Sequence, residues 1–131
     1  MPAAAEWAHL IADAAANGTA FQGPATVYLS LVITTPSKTV AGTEVTAGNY
    51  GRKTFAQSGW TNDGAGSLSN TADVAWLTAT VDYDDDILAV EAWSAATNGT
   101  RYWYLILATP KTIVAGQTPK FLAGDLVWSA T

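Results

Sequence analysis

The run Asp82-Tyr83-Asp84-Asp85-Asp86 is the densest collection of potential ligands in the chain. A helix–loop–helix calcium site needs a glycine at its sixth position, for the sharp turn, and a bidentate glutamate at its twelfth. Counted from Asp82, those positions carry Ile87 and Trp93, so that chemistry is ruled out. The run reads better as a solvated acidic turn whose repulsion keeps strand edges from pairing with other chains. It could also dock on a basic partner, and a looser calcium or magnesium site at the same turn stays open. His9 is the only histidine. One imidazole cannot build a histidine-based metal centre, and without a G-x-S-x-G elbow no serine is presented to it as a nucleophile. Gly48-Asn49-Tyr50-Gly51 and Gly64-Ala65-Gly66 are not followed by helical periodicity, and G-x-x-x-x-G-K-[ST] is missing, which excludes a phosphate cradle. The chain has no cysteine, so neither a thiolate nucleophile nor a disulfide framework is available. No catalytic residue, cofactor or metal ligand is expected, and the chain is read as non-enzymatic.

The aromatics are the remaining candidates. Trp76, Trp93, Trp103 and Trp128 fall in strand-like runs, where packing on a sheet face is their usual role. Trp60 stands in a polar stretch, and an exposed tryptophan in a loop commonly anchors an interface. A second candidate interface lies near the start. Trp7, Leu10, Ile11 and Ala14 recur at i, i+3, i+4 and i+7, which predicts a short amphipathic helix ended by Asn17-Gly18. So short a helix must dock its Trp7, Leu10 and Ile11 stripe on something, either its own domain or a neighbouring subunit. The expected interface residues are therefore Trp7, Leu10, Ile11 and Trp60.

From Pro24 onward the periodicity is that of strands. Over 26–34, Val27, Leu29, Leu31 and Ile33 share one face, while Tyr28, Ser30, Val32 and Thr34 share the other. The second face is only half polar, so partial cover is expected. Further strands are predicted over 50–55, 73–79, 87–93, 101–108, 111–114 and 119–128, with a long polar connection at 57–70. Asn98-Gly99 is a hairpin signal of the I′ kind. TPSKTVAGTE at 35–44 and TPKTIVAGQT at 109–118 echo each other, each after a long apolar strand. Reuse of the same turn chemistry explains the echo, with proline after a strand and glycine at a bend. The fold expected is mainly β: a single antiparallel β-sandwich, jelly-roll-like, at 23–131, preceded by one short N-terminal α-helix in an arm at 1–22.

With 131 residues the chain suits one domain. It is 49% hydrophobic and only 13% charged, too apolar for a disordered chain. A net charge of −5 with scattered basic residues argues against nucleic acid, which needs a basic footprint to release counterions. No run approaches the ~18 apolar residues of a membrane-spanning helix, and the first residues lack a basic secretory n-region. Synthesis in the cytoplasm, with neither nucleic acid nor membrane as partner, is the corresponding expectation.

Pro24-Ala-Thr-Val-Tyr-Leu-Ser-Leu, then Gly42-Thr-Glu-Val-Thr with Tyr50-Gly-Arg52, then Thr109-Pro-Lys-Thr, Ala115-Gly and Ala123-Gly-Asp125-Leu follow one another in order. In this order they resemble a family of small virion proteins of tailed bacteriophages that are labelled tail fiber-like. The resemblance implies a jelly-roll-type sandwich and a structural role in the particle, and it supplies no catalytic residues. The chain departs from the family pattern after the first strand, where it reads Val32-Ile-Thr-Thr-Pro36, and again over 57–70. Within the virion, a capsid decoration (cement) protein bound to the outer shell is expected, because the chain lacks the repeats or coiled coil of a fiber shaft. It would be a homo-oligomer, a trimer, partnered by the major capsid protein or another virion protein. The alternatives are a tail- or fiber-associated structural protein and a carbohydrate-binding module for host attachment.

Overall fold

A computed structural model describes residues 25–62 and 67–129. Alternation along Thr26–Val32 (β1) builds a strand with Val27, Leu29 and Leu31 turned into the core and Ser30 and Val32 buried on the opposite face. Lys53–Ala56 (β2) follows, then a 3-10 turn at Gln57–Gly59, Trp60–Asn62 (β3), Ser67–Asn70 (β4) and Val74–Ala75 (β5). Ile87–Trp93 (β6), Arg101–Lys111 (β7), Lys120–Phe121 (β8) and Val127–Ser129 (β9) complete the order. All pairings are antiparallel, in a four-stranded sheet β2-β1-β6-β7, a three-stranded sheet β3-β4-β9 and a two-stranded sheet β5-β8.

The mainly β expectation is met, as three small antiparallel sheets rather than one continuous closed sandwich. All three share a core that includes Leu29, Leu31, Val74, Trp103, Phe121 and Leu126. Trp60 of β3 joins the three-stranded sheet to the four-stranded one, 4.7 Å from Phe55 and 5.7 Å from Trp103, and Trp76, just after β5, lies 5.8 Å from Phe121 of β8, between centroids. Such tilted and edge contacts suit the aromatic quadrupole. The expected N-terminal helix, with Trp7, Leu10 and Ile11, lies outside the described residues.

Several expected boundaries are corrected. The polar stretch 57–70 is not a bare connection, because it carries β3 and β4, whose cross-strand pairs are Trp60 with Asn70 and Thr61 with Ser69. The expected strands at 101–108 and 111–114 merge into β7, which runs through Pro110 to Lys111. Proline is tolerated there because β7 is an edge strand and Pro110 lies where the register with β6 shifts, between Ile106 and Lys111. The run expected at 73–79 is a ladder only at Val74–Ala75, and the one at 119–128 is split into β8 and β9 by a turn around Gly124. Asn98 and Gly99 adopt positive φ of 54° and 85°, as the I′ signal requires, but within a longer loop at 94–100.

Candidate functional site

Segment 35–52 leaves the end of β1, crosses the outer face of the four-stranded sheet and returns to the edge of β1. This return satisfies the backbone that β2 leaves uncovered, as buried polar groups demand. At the last β1–β2 pair, Leu29 with Lys53, the Trp76 indole donates to the Leu29 carbonyl at 3.1 Å. The Leu31 N–H donates to the Tyr50 hydroxyl at 2.9 Å, and the Leu31 carbonyl accepts from Val45 at 3.0 Å. Ile33 then donates to the Thr43 carbonyl at 2.8 Å.

Around this seam lies the first of two charged clusters. Tyr50 donates to Glu44 Oε2 at 2.7 Å, and Arg52 grips the same carboxylate through Nε at 3.1 Å and Nη2 at 3.0 Å. Arg52 Nη1 reaches over to the carbonyls of Ala95 at 2.7 Å and Asn98 at 2.9 Å, with the guanidinium 4.5 Å above the Trp93 ring. One arginine thus ties the segment to the loop at 94–100. Burial, and then the hydrogen bond to Glu44, push the Tyr50 hydroxyl pKa above its ordinary value, so the phenol stays protonated. Tyr83, edge-on to Tyr50 at 6.3 Å, is pushed up by burial alone.

The second cluster is buried outright. Arg101 heads β7 and Glu91 lies in the middle of β6; their side chains are 5% and 1% exposed and meet at 2.7 Å. Glu91 Oε2 also accepts from the Gly42 N–H at 3.1 Å. Arg101 directs Nη2 to the Ser37 carbonyl at 2.6 Å and the Lys38 carbonyl at 3.2 Å, and Nη1 to the Val40 carbonyl at 3.3 Å. Beside them the Trp93 indole donates to Ser30 Oγ at 3.1 Å. The half-polar face of β1 is therefore covered, and what covers it is a strap at 37–42 held by one ion pair. Sequence reasoning missed Glu91 and Arg101. A signal was there: each is the lone charge in an apolar run, and an Asn-Gly turn signal lies between the two strands.

Chemically, both clusters are cohesive. Glu44 is held by guanidinium and phenol donors, and Glu91 Oε2 by a guanidinium and a backbone N–H. Among the described residues, no three or more His, Cys, Asp or Glu side chains come together as metal ligands. Asp84, Asp85 and Asp86 are exposed; Asp82 accepts from the Ala115 N–H at 2.8 Å and Asp86 from the Thr112 hydroxyl at 2.7 Å. Trp60, expected in an open loop, opens β3 and is half-buried against Phe55 and Trp103. Trp7, Leu10 and Ile11, the other predicted interface residues, lie outside the described residues. Among the described residues no helix is long and apolar enough to cross a membrane.

The two arginines of this β body are thus engaged with glutamates in ion pairs that hold its segments together. The chain belongs to the family of the podophage GP4 fiber I protein gp80, which it matches over residues 2–129, and it is a structural component of a phage virion. The resemblance to tail fiber-like proteins seen in the sequence motifs is thereby borne out. No curated protein matches the sequence.

Proposed function

We propose that this protein is a tail- or fiber-associated structural component of a podophage particle. The observation that carries this reading is the match to a podophage fiber protein family over residues 2–129. The capsid-decoration role expected from a compact chain without shaft repeats is the weaker reading, because the family is that of a fiber protein. A carbohydrate-binding module would need an open aromatic platform, whereas Trp60 lies against Phe55 and Trp103. The three sheets are read as parts of one jelly-roll-like sandwich spanning 23–131, with 1–22 as a separate arm. The protein assembles as a homotrimer through Trp7, Leu10 and Ile11 of the arm and the accessible side of Trp60, and docks on another virion protein.

The strapped sheet supports a structural role, since a scaffold that must hold its shape in a particle gains from a strap fixed across its sheet by a buried ion pair. Gold-labelled antibody on intact particles tests the placement. Label at the tail, in few copies per particle, is expected; label spread over the shell would restore the decoration reading. Light scattering of the purified protein tests the trimer, and a monomer at micromolar concentration would contradict it.

A further inference from the structure

The echoed motif at 109–118, a family marker in the sequence, is not absorbed by the structural role. In the fold it forms most of one wall of an open groove of about 380 Å³ lined by Lys111, Thr112, Ile113, Gln117, Thr118 and Lys120. We propose that this groove binds an anionic group, phosphate or carboxylate, carried by a polar ligand.

The first support is the placement of charge. The chain has six basic residues and a net charge of −5. Arg52 and Arg101 are consumed by Glu44 and Glu91. That leaves Lys38, Lys53, Lys111 and Lys120 as the remaining basic residues, and the last two line the same groove. In so acidic a protein the pair is a local concentration of positive charge, set against Asp86 on Thr112 and Asp73 on Lys120.

The second support is that the donors are held. Lys111 Nζ is poised 5.0 Å over the Phe121 ring, and among the described residues no carboxylate lies within ion-pairing distance of it. Among the described residues Lys120 has only Asp73 as an ion-pair partner, at 4.0 Å with both side chains half exposed, a loose pair that an incoming anion can displace. Gln117 Oε1 accepts from the Val114 N–H at 3.0 Å, which fixes the amide and leaves Nε2 as a donor. The Thr112 hydroxyl donates to Asp86 at 2.7 Å, and the Thr118 hydroxyl shares a hydrogen bond with that of Thr78 at 2.6 Å.

The third support is preorganisation. The loop is anchored on 79–83 by Gly116 donating to the Ala79 carbonyl at 2.8 Å, Ala79 to the Gln117 carbonyl at 2.8 Å and Tyr83 to the Ile113 carbonyl at 3.0 Å. Gly116 turns it at a φ of 89°, and Ile113 and Pro119 are buried. A loop so held loses little entropy when it binds. The assignment is independent of where the protein sits in the particle, since a tail or a shell component would carry the same groove.

The test is an amide chemical-shift titration of the intact protein with inorganic phosphate, with glucuronate and with neutral glucose, at constant ionic strength. Saturable shifts confined to 111–120 and its 78–83 support are expected with phosphate or glucuronate, the stronger of the two identifying the source chemistry, and none with glucose. Lys111→Gln and Lys120→Gln should each weaken binding about tenfold, as loss of one charge-assisted contact implies. Lys38→Gln and Lys53→Gln should leave it unchanged. Unsaturable shifts, or shifts spread over all lysines, would mean nonspecific screening and overturn the proposal. So would saturable binding that survives both groove substitutions in variants whose spectra remain dispersed.

Discussion

Arg101 does two things at once: it neutralises Glu91 and it fixes three carbonyls of the strap. Removing one partner of a buried pair leaves the other charge uncompensated, which costs about 3–5 kcal/mol. Arg101→Met should therefore lower the urea midpoint sharply, whereas Lys120→Met, at an exposed pair, should change stability by about 0–1 kcal/mol. Equal effects would contradict the account. Tyr50 carries the pH prediction. An unfolded phenol ionises near pH 10, while the folded Tyr50 and Tyr83 hold their protons to higher pH. Above pH 10 the unfolded state binds fewer protons than the folded one, so stability is fully present below pH 10 and falls as pH rises beyond it. Denaturant midpoints between pH 8 and 11 should show this fall, with a shallower slope in Tyr50→Phe. Legibility at this scale was divided. Glu44, Tyr50 and Arg52 stood within family motifs, but nothing in the sequence said that they meet. Glu91 and Arg101 went unread because a charge inside an apolar strand looks like its exposed face until the strap across it is known.

The elements depend on two closures. The first is the strap, where a side chain at Gly42 would place its Cβ 2.7 Å from the Thr34 carbonyl oxygen and 2.8 Å from Val32 Cγ2. Neither neighbour can yield, since one is backbone and the other is buried, so Gly42→Ala should cost about 1–3 kcal/mol as overpacking, read by thermal unfolding. The second closure is Asn70, buried at the end of β4. Its amide donates to the carbonyls of Ala72 and Leu122, both at 2.9 Å, and accepts from the Leu126 N–H at 2.9 Å. It pins the turn between β8 and β9, the stretch carrying the Ala123-Gly-Asp125 marker. Asn70→Ala should cost about 3 kcal/mol, because the buried groups it serves are left unpaired. A loss under 1 kcal/mol would remove it from this role. Long apolar runs such as β1 and β6 were readable because period-two burial is written in their residue types. β3 and β4 were not, because Ser, Thr and Asn form strands there through pairing, β3 with β4 and β4 in turn with β9 far along the chain.

At the scale of the whole molecule, composition and motif order conveyed a mainly β, non-enzymatic virion protein, while the division into three sheets depended on contacts far apart in the chain. The interface expected at Trp60 has acquired a structural consequence. Its ring packs from the three-stranded sheet onto Phe55 and Trp103 of the four-stranded one, so Trp60→Ala should destabilise the fold by about 2–4 kcal/mol, besides any effect on assembly. Gel filtration of a refolded variant separates the two. The central claim is placement at the tail as a fiber-associated component, and its most direct test is the number and position of copies in the particle. Quantitative mass spectrometry of purified virions with antibody labelling should find few copies, all at the tail. Hundreds of copies distributed over the shell would contradict it.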